Sequence, residues 1–401
     1  MHTPEPAPAS PIALDAKLSN RFVQAGGSRT LTARVGLSAK RRSATMRPPV
    51  NLALLVDTSG SMEGRAIDDA RAASLALLAS LAPEDRLAVV VFHSKAEVLL
   101  PSTRVGEANM KELRAKIAAM KADGTTDMAD GLKLAQAEVE RNLDREGVNR
   151  IVLLGDGVPN DDTQVLAYVA NAAAHGISVT ALGLGNDYDE TLMGRIAQTS
   201  GGRFHYVADS TKVQSFFAEE VVRLHKVVAR NAYVELKPGP GVTVRGVIGR
   251  PGNSSGRSYV VNLGDISLGD EQELVVDLVA ANAKDGAPVE VLDAVLHFQD
   301  GVGGAMREER VFVGAHATNA EAKLAEGRDK SVEDAAARAR DAAATLERIQ
   351  KQRESDRAKQ APPRPGRAPT PSPAAAFEPS PAEAPEATRM QHDAAMHKLG
   401  Y

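Results

Sequence analysis

Apolar and polar residues follow two rhythms along the chain, and the boundaries between them divide it. Residues 29–37 (Arg-Thr-Leu-Thr-Ala-Arg-Val-Gly-Leu) alternate with period two, which predicts a half-buried strand. Residues 50–56 (Val-Asn-Leu-Ala-Leu-Leu-Val) form a continuous apolar run suited to a strand covered on both faces. From there to about residue 228 such runs, at 86–92, 150–154 and 177–182, alternate with segments of helical period. Ala66, Ile67, Ala70, Ala73, Ser74, Leu77, Leu78 and Leu81 recur at three and four, one buried helix face, and Pro83 follows its end. Further helices are predicted near 107–121, 128–143, 163–174, 189–199 and 212–228, with an edge strand at 96–100 and a short strand at 203–207. Strands and helices alternating in this way predict an α/β fold, a doubly wound, mostly parallel sheet with helices on both faces.

Between about 230 and 315 the helical period disappears. Short strands near 232–236, 274–278 and 290–296 are separated by Gly- and Pro-rich turns, the pattern of an antiparallel β-sandwich. The early strand has the same style, so the α/β unit is expected to be inserted into a sandwich built from both its flanks. Residues 318–358 contain no proline and are rich in Ala, Arg and Glu, which predicts one long helix with a thin apolar stripe. Nine prolines between 361 and 385 predict an extended, disordered linker. Met390 to Tyr401 offer Met390, Met396 and Leu399 for a short docked helix, although a frayed terminus is the favoured reading. The expected organisation is a disordered start at 1–11, sandwich strands at 12–48, the α/β domain at 49–228, the sandwich at 229–316, a long helix at 317–359 and a Pro/Ala-rich tail at 360–401.

Composition narrows the function classes. The 401 residues hold 48 Lys+Arg against 52 Asp+Glu, a net charge of −4, so no global basic field attracts nucleic acid. Aromatic residues make up 3% and tryptophan is absent, a poor platform for stacking bases. The absence of cysteine excludes disulfides, thiolate metal sites and cysteine nucleophiles. No run of about 18 apolar residues predicts a membrane span, and the first residues lack the pattern of a secretory signal, so a cytoplasmic location is expected.

Candidate chemistry gathers where strands of the α/β unit end, since ligands of open parallel sheets bind at the carboxyl ends near the reversal of strand order. The first central strand ends in Asp57-Thr58-Ser59-Gly60-Ser61, which sets a carboxylate and two hydroxyls at alternate positions of a tight turn. Two further loops offer Gly124-Thr125-Thr126-Asp127 and Gly155-Asp156-Gly157. Hard oxygen donors converging from separate loops suit Mg²⁺ or Mn²⁺. Each residue also has a bland role: Asp57, Ser59 and Ser61 taken alone are ordinary caps and turn formers. Asp161 and Asp162 read as a cap for the next helix, His93 as structural, and the run Arg348, Lys351, Arg353, Arg357, Lys359 as a solvated helix face.

Together these elements resemble the metal-ion-dependent adhesion site of von Willebrand factor type A domains, shared with integrin I domains, over roughly residues 50–225. The resemblance, of bacterial type, implies that Ser59 and Ser61 bind the cation directly, that Thr126 joins them when ligand is bound, and that Asp57 and Asp156 act directly or through water. The threonine could instead be Thr125. Gly155 stands where the family commonly has Ser or Thr. The implied function is non-enzymatic: a cation-dependent protein-binding module, with Mg²⁺ (or Mn²⁺) capturing an Asp or Glu of a partner protein and acting as scaffold or regulator of a complex. The alternatives are a metal-dependent hydrolase, with Asp127, Asp161 and Asp162 as the available bases, and a substrate-recruiting partner of a separate ATPase. P-loop, zinc-protease and serine-hydrolase signatures are absent, Gly183-Leu184-Gly185 lacks the third glycine of a dinucleotide fingerprint, and an aspartyl phosphatase would need an acid where Ser59 stands.

Overall fold

A computed structural model describes residues 10–40, 48–155, 162–184, 189–207, 213–281, 283–301, 304–360 and 386–401. Asp156, Gly157, Asp161, Gly185 and the Pro-rich stretch 361–385 lie outside the described residues.

The chain opens with β1 (Ile12–Leu18), β2 (Phe22–Gln24) and β3 (Ser28–Ala39). β1 and β3 pair antiparallel, and the alternation seen in the sequence buries Leu31, Ala33, Val35, Leu37 and Ala39. Next come β4 (Val50–Asp57), α1 (Arg65–Ser80), β5 (Arg86–Phe92), β6 (Ala96–Arg104), α2 (Met110–Ala118), α3 (Met128–Glu140) and β7 (Val148–Gly155). The unit closes with α4 (Asp162–Ala174), β8 (Ser178–Leu184), α5 (Glu190–Ser200), β9 (Phe204–Val207) and α6 (Val213–Leu224).

These six strands, β4 to β9, form one sheet in the order β6-β5-β4-β7-β8-β9, parallel except for the antiparallel edge strand β6. All eight residues of β4 are buried, as its unbroken apolar run requires of a central strand with helices on both faces. Successive side chains point to opposite faces, so Ala53 and Leu55 join the core under α3, α4 and α5, whereas Leu52, Leu54 and Val56 join the core under α1, α2 and α6. β4 pairs with β5 on one side and β7 on the other, which makes its carboxyl end the point where strand order reverses.

After α6 the chain forms β10 (Val227–Pro238), β11 (Val242–Val247), β12 (Asn253–Ser255), β13 (Ser258–Ser267), β14 (Glu271–Ala281), β15 (Pro288–Asp300) and β16 (Met306–Thr318). Two sheets result, β1-β3-β14-β11 and β12-β13-β10-β15-β16-β2. They share one apolar core, in which Val35, Leu274, Val276 and Leu278 of the first sheet join Val234, Leu236 and Leu296 of the second. The pairing is antiparallel except at β2, which runs parallel to β16. β3 lies between β1 and β14, so segments from both flanks of the α/β unit build one sheet.

The helix expected as one piece over 317–359 is two: α7 (Glu321–Glu326) and α8 (Lys330–Gln360). The break has a cause in the backbone. Arg21 N donates to Gly327 O at 3.0 Å and Asp329 N to Ser19 O at 2.9 Å, while Asp329 Oδ1 accepts from Ser331 N at 2.9 Å and starts the second helix. Val332, Ala335, Ala336, Ala339, Ala342 and Ile349 form the buried stripe of α8. The favoured reading of a frayed terminus is overturned: α9 (Glu386–Lys398) is docked, with Met396, Leu399 and Tyr401 buried and Met390 exposed.

Candidate metal centre

Asp57 ends β4 at the reversal point and is fully buried, as is Ser59 two residues on. The turn folds back on itself: Ser59 N donates to Asp57 Oδ1 at 2.8 Å, and the Ser59 and Ser61 hydroxyls lie 3.0 Å apart. Thr58 points the other way and locks the turn to β5, its N and Oγ1 both donating to Phe92 O, at 2.8 and 3.1 Å. Asp57, Ser59 and Ser61 thus sit on one turn, two of their oxygens in contact.

The threonine loop is fastened to this turn by main-chain bonds. Gly60 N donates to Gly124 O at 3.0 Å and Asp123 N to Thr58 O at 2.8 Å. The two threonines separate: Thr125 is exposed and its N and Oγ1 meet Ser94 Oγ at 2.9 and 3.3 Å, whereas Thr126 is buried. Asp127 caps α3, its Oδ1 accepting from Asp130 N at 3.0 Å, and its own N donates to His93 O at 2.7 Å. No sequence pattern marks Ser94, and His93, expected to be structural, gives its main-chain carbonyl to the same loop. Their use is local, in fixing the threonine loop, and a Ser after a strand end carries no pattern that would single it out.

Asp156 lies outside the described residues. Its neighbour Gly155 ends β7 against the carboxylate: a Cβ there would stand 2.5 Å from Asp57 Cβ and 3.0 Å from Asp57 Oδ2. The glycine at this position therefore keeps strand β7 close to Asp57, and a hydroxylated side chain has no room. Asp162, read from sequence as part of a cap, is the first residue of α4.

Below the site α6 is riveted to the sandwich. Arg223 makes a paired bond to Asp270, at 2.8 and 3.0 Å, and Ser267 Oγ donates to Arg223 O at 3.1 Å. The helix also meets the root of β4: His225 Nε2 lies 3.1 Å from Asp85 Oδ2, and the fully buried Asp85 accepts from Val50 N and Ala82 N.

A doubly wound sheet with a carboxylate and hydroxyls at its switch point defines an α/β domain with a candidate ligand site at its carboxyl edge. Residues 51–219 match the von Willebrand factor type A domain, and the chain carries such a domain. It is 27% identical over 280 residues to the uncharacterized protein sll0103 of Synechocystis sp., covering 67% of this chain and 66% of that protein. It is 30% identical over 217 residues to the uncharacterized protein YfbK of Escherichia coli, covering 52% and 37%. The chain thus spans less than two thirds of the length of either relative. Among solved structures, a von Willebrand factor type A protein from Catenulispora acidiphila shares the fold with a TM-score of 0.70 at 16% identity, over 86% of this chain and 82% of that one. Among the described residues no helix is long and apolar enough to cross a membrane. Domains of this family commonly act as protein-interaction modules.

Proposed function

We propose that the protein is a divalent-cation-dependent protein-binding module that serves as scaffold or regulator of a complex. The observation that carries this is the contact of the Ser59 and Ser61 hydroxyls, 3.0 Å apart, beside the buried Asp57 carboxylate at the switch point. Uncharged hydroxyls next to one carboxylate suit a hard cation, and Asp57, Ser59, Ser61, Thr126 and Asp156 would hold Mg²⁺ or Mn²⁺. When bound, the cation supplies a coordination position that an Asp or Glu of a partner protein can fill. The chain's own residues do the positioning. Ser59 N holds one Asp57 oxygen, Thr58 anchors the turn to β5, and the bond from Gly60 N to Gly124 O fixes the threonine loop beside it. The clasp between Arg223 and Asp270 ties the last helix of the domain to the sandwich, a path by which occupancy can reach the second unit.

Binding is favoured over hydrolysis because Asp127, a carboxylate on the threonine loop, already has the ordinary task of capping α3, its Oδ1 accepting from Asp130 N. The test pairs calorimetric titration of the full chain with Mg²⁺ and retention of partner proteins on the immobilised chain in Mg²⁺ or EDTA. Wild type should take up one Mg²⁺ and retain partners in Mg²⁺ alone, and Asp57→Ala, with its fold checked by circular dichroism, should do neither. Identical partners under all conditions would remove the cation from the function.

A further inference from the structure

The docked terminal helix occupies a built groove unrelated to the metal centre. Arg250, buried on the sandwich, donates from Nε to Leu399 O at 2.9 Å and from Nη2 to Gly400 O at 3.1 Å, and its guanidinium lies 4.5 Å from the centre of the Tyr401 ring. Gly400 has φ 82°, and a Cβ on it would stand 2.5 Å from Arg250 Nη2, so the turn requires glycine. Leu399 rests directly on Gly249, whose own Cβ position lies 2.5 Å from Leu399 Cδ2. On the α/β side, His392 meets Phe204 edge to face at 5.3 Å, and Gln198 Nε2 approaches Met396 Sδ at 3.4 Å. The groove reads a short helix ending in Leu-Gly-Tyr through shape, two carbonyl bonds and one stacked ring.

The connection to this helix is far longer than docking needs. α9 runs antiparallel to α8, since Arg348 bonds Gln391 and Asp341 pairs with Lys398. Continuing that register sets the start of α9 level with residue 353, about 10 Å from the end of α8 at 1.5 Å per residue. Neighbouring helices are usually joined by roughly 2 to 8 residues, whereas 25 residues, nine of them proline, separate Gln360 from Glu386. Such a length reaches roughly 80 Å at about 3.1 Å per residue when extended. A 13-residue helix is marginal alone in water, so this one depends on its groove for order.

We propose that the groove around Arg250 is a peptide-binding site for the segment 386–401, and that it accepts this segment from a second copy of the chain, so that molecules assemble by exchanging their terminal helices. A connection of this length sets an effective concentration of order millimolar for the internal helix. Exchange therefore rises with protein concentration, and each exchanged pair carries two type A domains, which converts single contacts with a partner into bivalent ones.

The absence of cysteine makes the test direct. Arg348→Cys and Gln391→Cys, placed in one chain, should be bridged internally by a short bismaleimide. The two single variants, mixed at high concentration and then bridged, should give a covalent heterodimer at least five times more abundant than either variant alone gives, rising with concentration. Gly400→Val added to both should remove that product, with folding checked by its melting curve. Internal bridging without a heterodimer would make the helix a permanent part of one fold and overturn the exchange. A heterodimer insensitive to Gly400→Val, or no internal bridge, would overturn the groove as its basis.

Discussion

Arg150 on β7 and Asp265 on β13 meet at 3.0 Å across the seam between the α/β unit and the sandwich, and both are buried. Arg150 also donates to Thr180 Oγ1 at 2.9 Å and lies 3.8 Å from Glu220 on α6. Four elements are therefore joined by one buried guanidinium. Removing one member of a buried pair strands the other, at a cost of about 3 to 5 kcal/mol. Asp265→Ala leaves Arg150 its contacts with Glu220 and Thr180 and should lower the urea midpoint by at most that amount, whereas Arg150→Met, which takes the guanidinium from both Asp265 and Glu220, should cost more than Asp265→Ala.

At the candidate metal centre, Gly155 supports a prediction against the simplest use of family resemblance. Gly155→Ser supplies the hydroxyl commonly found there, yet its Cβ would stand 2.5 Å from Asp57 Cβ. Mg²⁺ binding measured by calorimetry should weaken by about tenfold, equivalent to about 1.4 kcal/mol, and Gly155→Ala should do the same without any hydroxyl. An improvement with serine would show that β7 yields.

The two threonines can be told apart. Thr126→Ala should reduce retention of an acidic partner in Mg²⁺, whereas Thr125→Ala removes only an exposed contact to Ser94 and should change stability by about 0.5 kcal/mol or less. Side-by-side retention assays decide it, and a larger loss for Thr125→Ala would reverse the assignment.

Acid should loosen the docked terminus. His205 on β9 faces His397 near the end of α9 and Phe216 on α6, with Arg203 nearby. Burial, with the positive charges of Arg203 and His397, lowers its pKa from 6.5 to about 3. The docked form thus holds neutral His205, and the released form binds a proton below about pH 6.5. Stability is fully present above that value and falls as pH drops toward 3, by at most about 2 kcal/mol at pH 5. Thermal melting from pH 7.5 to 5 should show this loss, and His205→Phe should flatten it.

The central strands were legible because a strand covered on both faces must be apolar throughout, as at 50–56, and the turn 57–61 because it follows the end of such a strand. The strand β12, Asn253–Ser255, is exposed at all three positions and offers no pattern to read. The docking of α9 was hidden for a different reason. Its buried positions include Arg389 and His392, residue types that ordinarily signal solvent, so the apolar stripe looks too thin. Arg230 was missed on the same ground: it is buried and donates to Arg145 O, Gly147 O and Asp300 O, a task for a long cation that only three-dimensional neighbours reveal. The helix break at Gly327 depends on Ser19 and Arg21, some 300 positions earlier, and no local propensity could place it.

The pairing of β3 with β14 also sets an order of events during synthesis. Thr32 pairs with Asp277, 245 positions later. At about 5 to 20 residues per second, the ribosome takes roughly 12 to 50 seconds to supply that partner. For all of that time the β1–β3 hairpin waits with one edge open, while the α/β unit between its flanks emerges whole and can fold. Arg34 bridges the wait, since it holds Asp15 within the hairpin and takes Glu273 when β14 arrives. The newborn chain therefore completes its α/β domain before it can close the sandwich on which that domain is mounted.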